Sequence, residues 1–192
     1  MKVTERRLDL DGVSLFVRDV GSGPPVVLVN GIGAHTQMWR PMELALTGLR
    51  VISFDAPGAG RPDTTLLPRT MGRLADLVAR MFDAMDLDRA DVIGYSFGGA
   101  LAQQFALQSP DRVRRLVLAA TFPGRGGVPG YLSALLSVAT PLRYYSRSLY
   151  EGTAGTVAGG RARHDLDHVR RLWQSRSGNA PSVAGYGLTK VL

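Results

Sequence analysis

Ser96 stands in Gly94-Tyr95-Ser96-Phe97-Gly98-Gly99, directly after the run Asp91 to Tyr95 and directly before an alanine-rich stretch. A serine hydroxyl is a poor nucleophile until its surroundings expose it, orient it and stabilise the charge that its attack creates. A sharp strand-to-helix turn meets the first two needs, because it lifts the hydroxyl off the sheet on a strained backbone. Side chains two residues to either side collide at such a turn, so glycine is required at Gly94 and Gly98. The helix that follows aims its positive N-terminal end at the developing oxyanion. The pentapeptide alone arises by chance in glycine-rich chains, and its flanking strand and helix give it weight. The expected chemistry is attack on a carbonyl with Ser96 as nucleophile.

A second element, Asn30-Gly31-Ile32-Gly33, follows the apolar run Val26 to Asn30. In serine-based acyl transfer such a loop supplies one backbone N–H to the oxyanion, and the residue after the nucleophile supplies the other. The expected donors are the amides of Ile32 and Phe97, although a plain glycine turn would explain the four residues by themselves. Three histidines are present. His35 follows the loop closely and could line a pocket, but a loop histidine without a catalytic role explains it as well. His164 and His168 share a face if their segment is helical. No glutamate follows His164 to complete a zinc-protease pattern, so both read as solvated histidines and no metal is expected. Asp55 ends an apolar run and is not assigned as a catalytic acid.

The elements that position these residues are legible from apolar periodicity. Leu8 to Leu10 and Val13 to Asp19 read as strands turning at Asp11-Gly12, a favourable hairpin dipeptide. VVLVN (Val26 to Asn30), RVISFD (Arg50 to Asp55), DVIGY (Asp91 to Tyr95) and RLVLAA (Arg115 to Ala120) lack alternation, as expected of strands covered on both faces. Helices are expected at Met38–Leu46, at Gly98–Gln108, and over Thr70–Met85, where Met71, Leu74, Leu77, Val78 and Met81 mark one buried face. Alternating strands and helices predict an α/β fold, a mostly parallel sheet with helices on both faces. After Phe122 the strand pattern stops. Residues 123–192 are expected to be mainly helical, near Tyr131–Val138 and Leu166–Trp173, beside a core at 1–122.

Composition narrows the partners. Residues 1–122 hold 14 basic and 13 acidic side chains, whereas residues 123–192 hold 9 and 3. That basic surplus is almost entirely arginine, as a coding bias towards that residue gives, so a nucleic-acid partner is not expected. No run of 18 apolar residues argues for stable membrane insertion. The opening MKVTERRLDLDG lacks a secretory apolar stretch, and the 192 residues contain no cysteine. A cytoplasmic setting is expected.

VVLVNGIGAHTQMW, VISFDAPGAG and DVIGYSFGGALAQQFALQSPDRVRRLVLAAT resemble the α/β-hydrolase superfamily in order and spacing. The wording NGIGA, DAPGAG, GALAQQFA and LVLAAT is most similar to the intracellular, medium-chain type of poly(3-hydroxyalkanoate) depolymerases. The resemblance implies that Ser96 is the nucleophile, that Ile32 and Phe97 supply the oxyanion hole, and that no cofactor is needed. It implies a hydrophobic ester substrate beneath a cap to which Tyr131, Leu132, Leu135, Leu136, Val138, Tyr144 and Tyr145 offer apolar surface. Many relatives have His-Gly at Asn30-Gly31 and a serine soon after the second loop glycine; Arg61-Pro62-Asp63 departs from the latter. In this superfamily the triad acid and histidine follow the serine along the chain. The expectation is that both, with the last strands of the sheet, lie beyond Leu192 and are not in this chain. A small-molecule esterase or lactonase of the same fold, or a non-catalytic fragment, are the alternatives. A dinucleotide-binding reading of Gly31-x-Gly33 with Asp55 is more distant, because Thr36 stands where the third glycine belongs.

Overall fold

A computed structural model describes residues 2–55, 70–124 and 131–177. Strands β1 (Val3–Leu10) and β2 (Val13–Gly21) form an antiparallel hairpin. Asp11 and Gly12 have φ of 54° and 79°. These are the two left-handed residues of the turn that best matches the twist of paired strands. β1 is longer than the expected Leu8–Leu10. Its sequence, VTERRLDL, is polar and mostly exposed, and pairing with β2 from Val3↔Val20 to Leu10↔Val13 makes it a strand.

The remaining strands are β3 (Pro25–Val29), β4 (Arg50–Asp55), β5 (Ala90–Tyr95) and β6 (Val113–Ala119). The sheet runs β1-β2-β4-β3-β5-β6. The β4–β3, β3–β5 and β5–β6 pairs are parallel, as expected, and β2 joins β4 antiparallel. Among the described residues, three helices flank this sheet: α1 (Arg40–Ala45), α2 (Met71–Ala84) and α3 (Phe97–Gln108). A short 3-10 turn, Thr36–Trp39, precedes α1.

Alternate residues of β3 serve opposite faces. Val27 and Val29 join Leu74, Val78 and Met81 of α2 and Leu101 and Phe105 of α3 in the main core. Val26 and Leu28 pack with Trp39, Met42 and Leu46 on the other side. Both faces are covered, which is why the run carries no polar alternation. The α1 side is also held by an ion pair. Arg18 of β2 donates from Nε to Glu43 Oε1 of α1 at 2.9 Å, with both residues buried, and reaches Glu5 as well. The hydrogen bond to Glu43 raises the Arg18 pKa above its ordinary value despite the opposing effect of burial.

Beyond β6 come α4 (Leu132–Ala139), α5 (Leu142–Tyr145), α6 (Arg147–Val157) and α7 (Leu166–Ser177). α4 and α7 match the two expected stretches, while α5 and α6 go beyond them. α6 reads RSLYEGTAGTV, and two interior glycines with a thin apolar stripe hide its helicity. Tyr150, Ala154 and Val169 form a small core with Leu172 and Trp173. The Tyr150 and Trp173 rings lie 5.4 Å apart. Asp165 caps α7 by accepting the His168 amide at 2.7 Å, and Arg161 Nε donates to the same carboxylate at 2.8 Å. Those two bonds hold its carboxyl below the usual range.

The loop from Ala56 through Arg61-Pro62-Asp63 lies outside the described residues, as do 125–130 and 178–192. Among the described residues, no helix is long and apolar enough to cross a membrane.

Candidate active site

β5 ends at Tyr95, α3 begins at Phe97, and the single residue between them is Ser96. Its backbone has φ 55° and ψ −123°. A non-glycine residue in such a region costs about 1–3 kcal/mol and persists only where neighbours over-determine it. They do so here. The Ser96 amide donates to Ala119 O at 3.0 Å, and Ser96 O accepts from the Gly99 amide at 2.9 Å and from Thr121 Oγ1 at 2.7 Å. Thr121, just past β6, is a support that no motif in the sequence points to.

The elbow glycines are required for space and not for left-handed backbone. A Cβ on Gly94 would lie 2.6 Å from Gly98 O and 2.6 Å from Gly99 Cα. One on Gly98 would run into the carbonyl oxygens of Val29 and Asn30. Gly99 faces the side chain of Thr121, with Cβ at 2.5 Å. α3 therefore lies hard against β3, β5 and the end of β6. Phe97 opens α3, so its amide is one of the first-turn N–H groups that a helix cannot satisfy internally.

The Asn30–Gly33 loop meets this turn. A Cβ on Gly31 would sit 3.2 Å from Ser96 Cβ and 3.2 Å from Tyr95 Cδ1. The loop closes as a tight turn, with the Ala34 amide donating to Gly31 O at 3.1 Å and Gly33 at φ 65°. Side chains fix each part of it. Buried Asn30 donates from Nδ2 to Phe54 O at 3.0 Å, tying the end of β3 to β4. Asp55 Oδ1 accepts the Thr36 amide at 2.6 Å, holding the far side of the loop. Tyr144 of α5 donates its hydroxyl to Ile32 O at 2.9 Å. Asp55 is thus a loop anchor, and Tyr144, expected only as apolar cap surface, contacts the loop through its polar end.

The structure brings Ser96, Phe97, Gly94 and Gly98 together with the Gly31–Gly33 turn. The histidines are dispersed along the chain: His35 is buried at the start of the 3-10 turn, and His168 lies in the first turn of α7. His164 precedes α7, so the pair does not share one helix face. Among the described residues, no group of three or more His, Asp or Glu side chains is placed to hold a metal. The Gly31–Gly33 loop leads into a four-residue 3-10 turn and the six-residue α1. A dinucleotide reading needs a regular helix directly after its glycine loop, so this geometry weighs against it.

A strained serine between a parallel strand and a helix, facing a glycine loop from a neighbouring strand, defines the class. The chain belongs to the alpha/beta hydrolase fold family, whose model matches residues 24–180. It is 45% identical to a poly(3-hydroxyalkanoate) depolymerase of Ectopseudomonas oleovorans, over 97% of this chain and 69% of that protein. It is 40% identical to a 2-hydroxy-6-oxo-2,4-heptadienoate hydrolase of Pseudomonas putida, over 56% of this chain and 41% of that protein. A solved hydrolase from Pseudomonas aeruginosa superposes with a TM-score of 0.74 at 27% identity, covering 96% of this chain and 70% of that one.

Proposed function

We propose that this chain carries the nucleophile and oxyanion hole of an enzyme that cleaves esters of medium-chain 3-hydroxyalkanoic acids. Ser96 attacks the ester carbonyl, and the amides of Ile32 and Phe97 receive the oxyanion. Losing one such donor costs about 3–4 kcal/mol of transition-state stabilisation. The alcohol leaves, and water hydrolyses the acyl-enzyme. The base that takes the serine proton and the acid that orients it are assigned to residues beyond Leu192. No cofactor enters the scheme. A lack of cysteine is compatible with a cytoplasmic enzyme.

Residues 1–122 form the core in this reading, and residues 123–192 contribute a cap over the acyl chain. The observation that carries the substrate class is the extent of the likeness. Similarity over 97% of the chain includes the α4–α7 helices, whereas similarity over 56% can be accommodated largely in the sheet and its flanking helices. Acyl specificity resides in what covers the serine. Tyr131, Leu132, Leu135, Leu136 and Tyr145 are exposed apolar side chains in and beside α4 and α5. Such a lining suits a hydrophobic acyl chain.

The test compares hydrolysis of p-nitrophenyl octanoate and acetate by the full gene product, by residues 1–192 alone, and by Ser96→Ala. The octanoate ester is preferred by the full product and is inert to Ser96→Ala. Residues 1–192 alone turn over far more slowly, since a serine without its base is left with oxyanion and binding effects worth about 10³–10⁴ over water. Strong preference for acetate replaces the depolymerase reading with a small-molecule esterase. A rate for residues 1–192 close to that of the full product places a base within them, with His35 the first suspect.

A further inference from the structure

We propose that Tyr144 is a positioning residue for the oxyanion hole, fixing Ile32 from the helical group and thereby coupling the seat of α5 to the rate of the chemical step. The inference rests on the reading of Ile32 as an oxyanion donor. Ile32 occupies the second position of the Gly31–Ala34 turn, and the peptide after it is the central one of that turn. Central peptides of tight turns can take opposite orientations, which is what separates the common turn types. Here the choice is set from outside. Tyr144 donates to Ile32 O at 2.9 Å, and its ring fills the space beside Gly33, where a Cβ would lie 2.8 Å from both Cζ and Oη.

The neighbouring arginine supports that bond by occupying the acceptor side of the phenol. Arg143 Nη2 donates to the Tyr144 hydroxyl oxygen at 3.0 Å, and its guanidinium carbon lies 4.9 Å from the ring centroid. A phenol has one proton to give. With the guanidinium supplying a donor to the oxygen, the phenolic proton is directed at Ile32 O, and a chain of hydrogen bonds strengthens each member. Tyr144 is 3% exposed, so water does not readily replace the bond if it is lost. The peptides on either side of Ile32 share its backbone, so releasing its carbonyl also loosens the amide offered to the oxyanion. Sub-ångström placement of that amide counts at the transition state, where its hydrogen bond is strongest, and little in ground-state binding.

The experiment uses the full gene product and its Tyr144→Phe, Arg143→Met and Ser96→Ala variants. Measured quantities are kcat and KM for p-nitrophenyl octanoate, affinity for an octyl trifluoromethyl ketone, and the melting temperature. The ketone adds to the serine as a tetrahedral oxyanion and so reports on the hole directly. Tyr144→Phe keeps the ring and lowers kcat about 10-fold with KM changed less than about 2-fold, and it weakens ketone binding in parallel. Arg143→Met moves kcat in the same direction by less. An unchanged kcat and ketone affinity, with only a lower melting temperature or a raised KM, overturns the inference and leaves Tyr144 as packing between the helices and the loop. Ser96→Ala separates the two levels. If it retains turnover, the reading of the whole site fails. If it is inert while Tyr144→Phe is as fast as wild type, only the role of Tyr144 fails.

Discussion

At the scale of single residues, the site is built by crowding around one unfavourable conformation. Ser96 holds φ 55° because Ala119, Gly99 and Thr121 bond its backbone and because Gly94 and Gly98 leave room for the turn. The strain gives a prediction that separates function from stability. Ser96→Gly removes the hydroxyl and relieves the left-handed backbone, whereas Ser96→Ala removes the hydroxyl and keeps the strain. Urea denaturation of the full gene product shows the glycine variant more stable than the alanine variant by about 1 kcal/mol, both being inactive. Equal stabilities would mean that the turn stores nothing. Ser96 and its glycines were legible because their types follow from local collisions. The supports were not. Asn30, Asp55, Thr121 and Tyr144 bond backbone groups across sequence separations of 19 to 112 residues, and no local pattern encodes such contacts.

At the scale of elements, two charged contacts hold helices, one at α1 beside the site and one at α7 in the helical group. Glu43 fastens α1 to β2 through Arg18, and α1 directly follows the 3-10 turn that leaves the Asn30–Gly33 loop. Removing the Glu43 charge leaves the buried Arg18 guanidinium with only the half-exposed Glu5 as its carboxylate partner. Glu43→Gln therefore destabilises the protein by about 3 kcal/mol. Glu5→Gln, whose side chain is 48% exposed, costs less than about 1 kcal/mol. Comparable losses by urea denaturation would show that the Arg18 charge is not sequestered with Glu43. The second contact is the Asp165 cap of α7. Its carboxyl is held below the usual range first by the His168 amide and then by Arg161. A lowered folded pKa means stabilisation that is complete above the ordinary carboxylate pKa of about 4 and is lost as pH falls through the lowered value. Asp165→Ala therefore melts below wild type at neutral pH, and the two converge in acid. A gap that persists in acid would assign the effect to packing. Elements with clear apolar periodicity, α2 above all, were readable in advance. The Val3–Arg7 part of β1 and α6 were not, since one is polar and made by its partner strand and the other is interrupted by glycines.

At the scale of the whole molecule, the six-stranded sheet and its flanking helices carry the serine and its loop, and α4–α7 reach back to that loop through Tyr144. The family follows from this arrangement and from the match over residues 24–180. The substrate class rests on likeness that extends through the helical group. The central claim beneath both is that Ser96 is the nucleophile. Its most direct test treats the full gene product with an alkyl fluorophosphonate and locates the adduct by peptide mass spectrometry while following octanoate ester hydrolysis. One adduct, on Ser96, appearing in step with the loss of hydrolysis and missing from Ser96→Ala, is the predicted result. An adduct on a different residue, or hydrolysis that survives in Ser96→Ala, contradicts it.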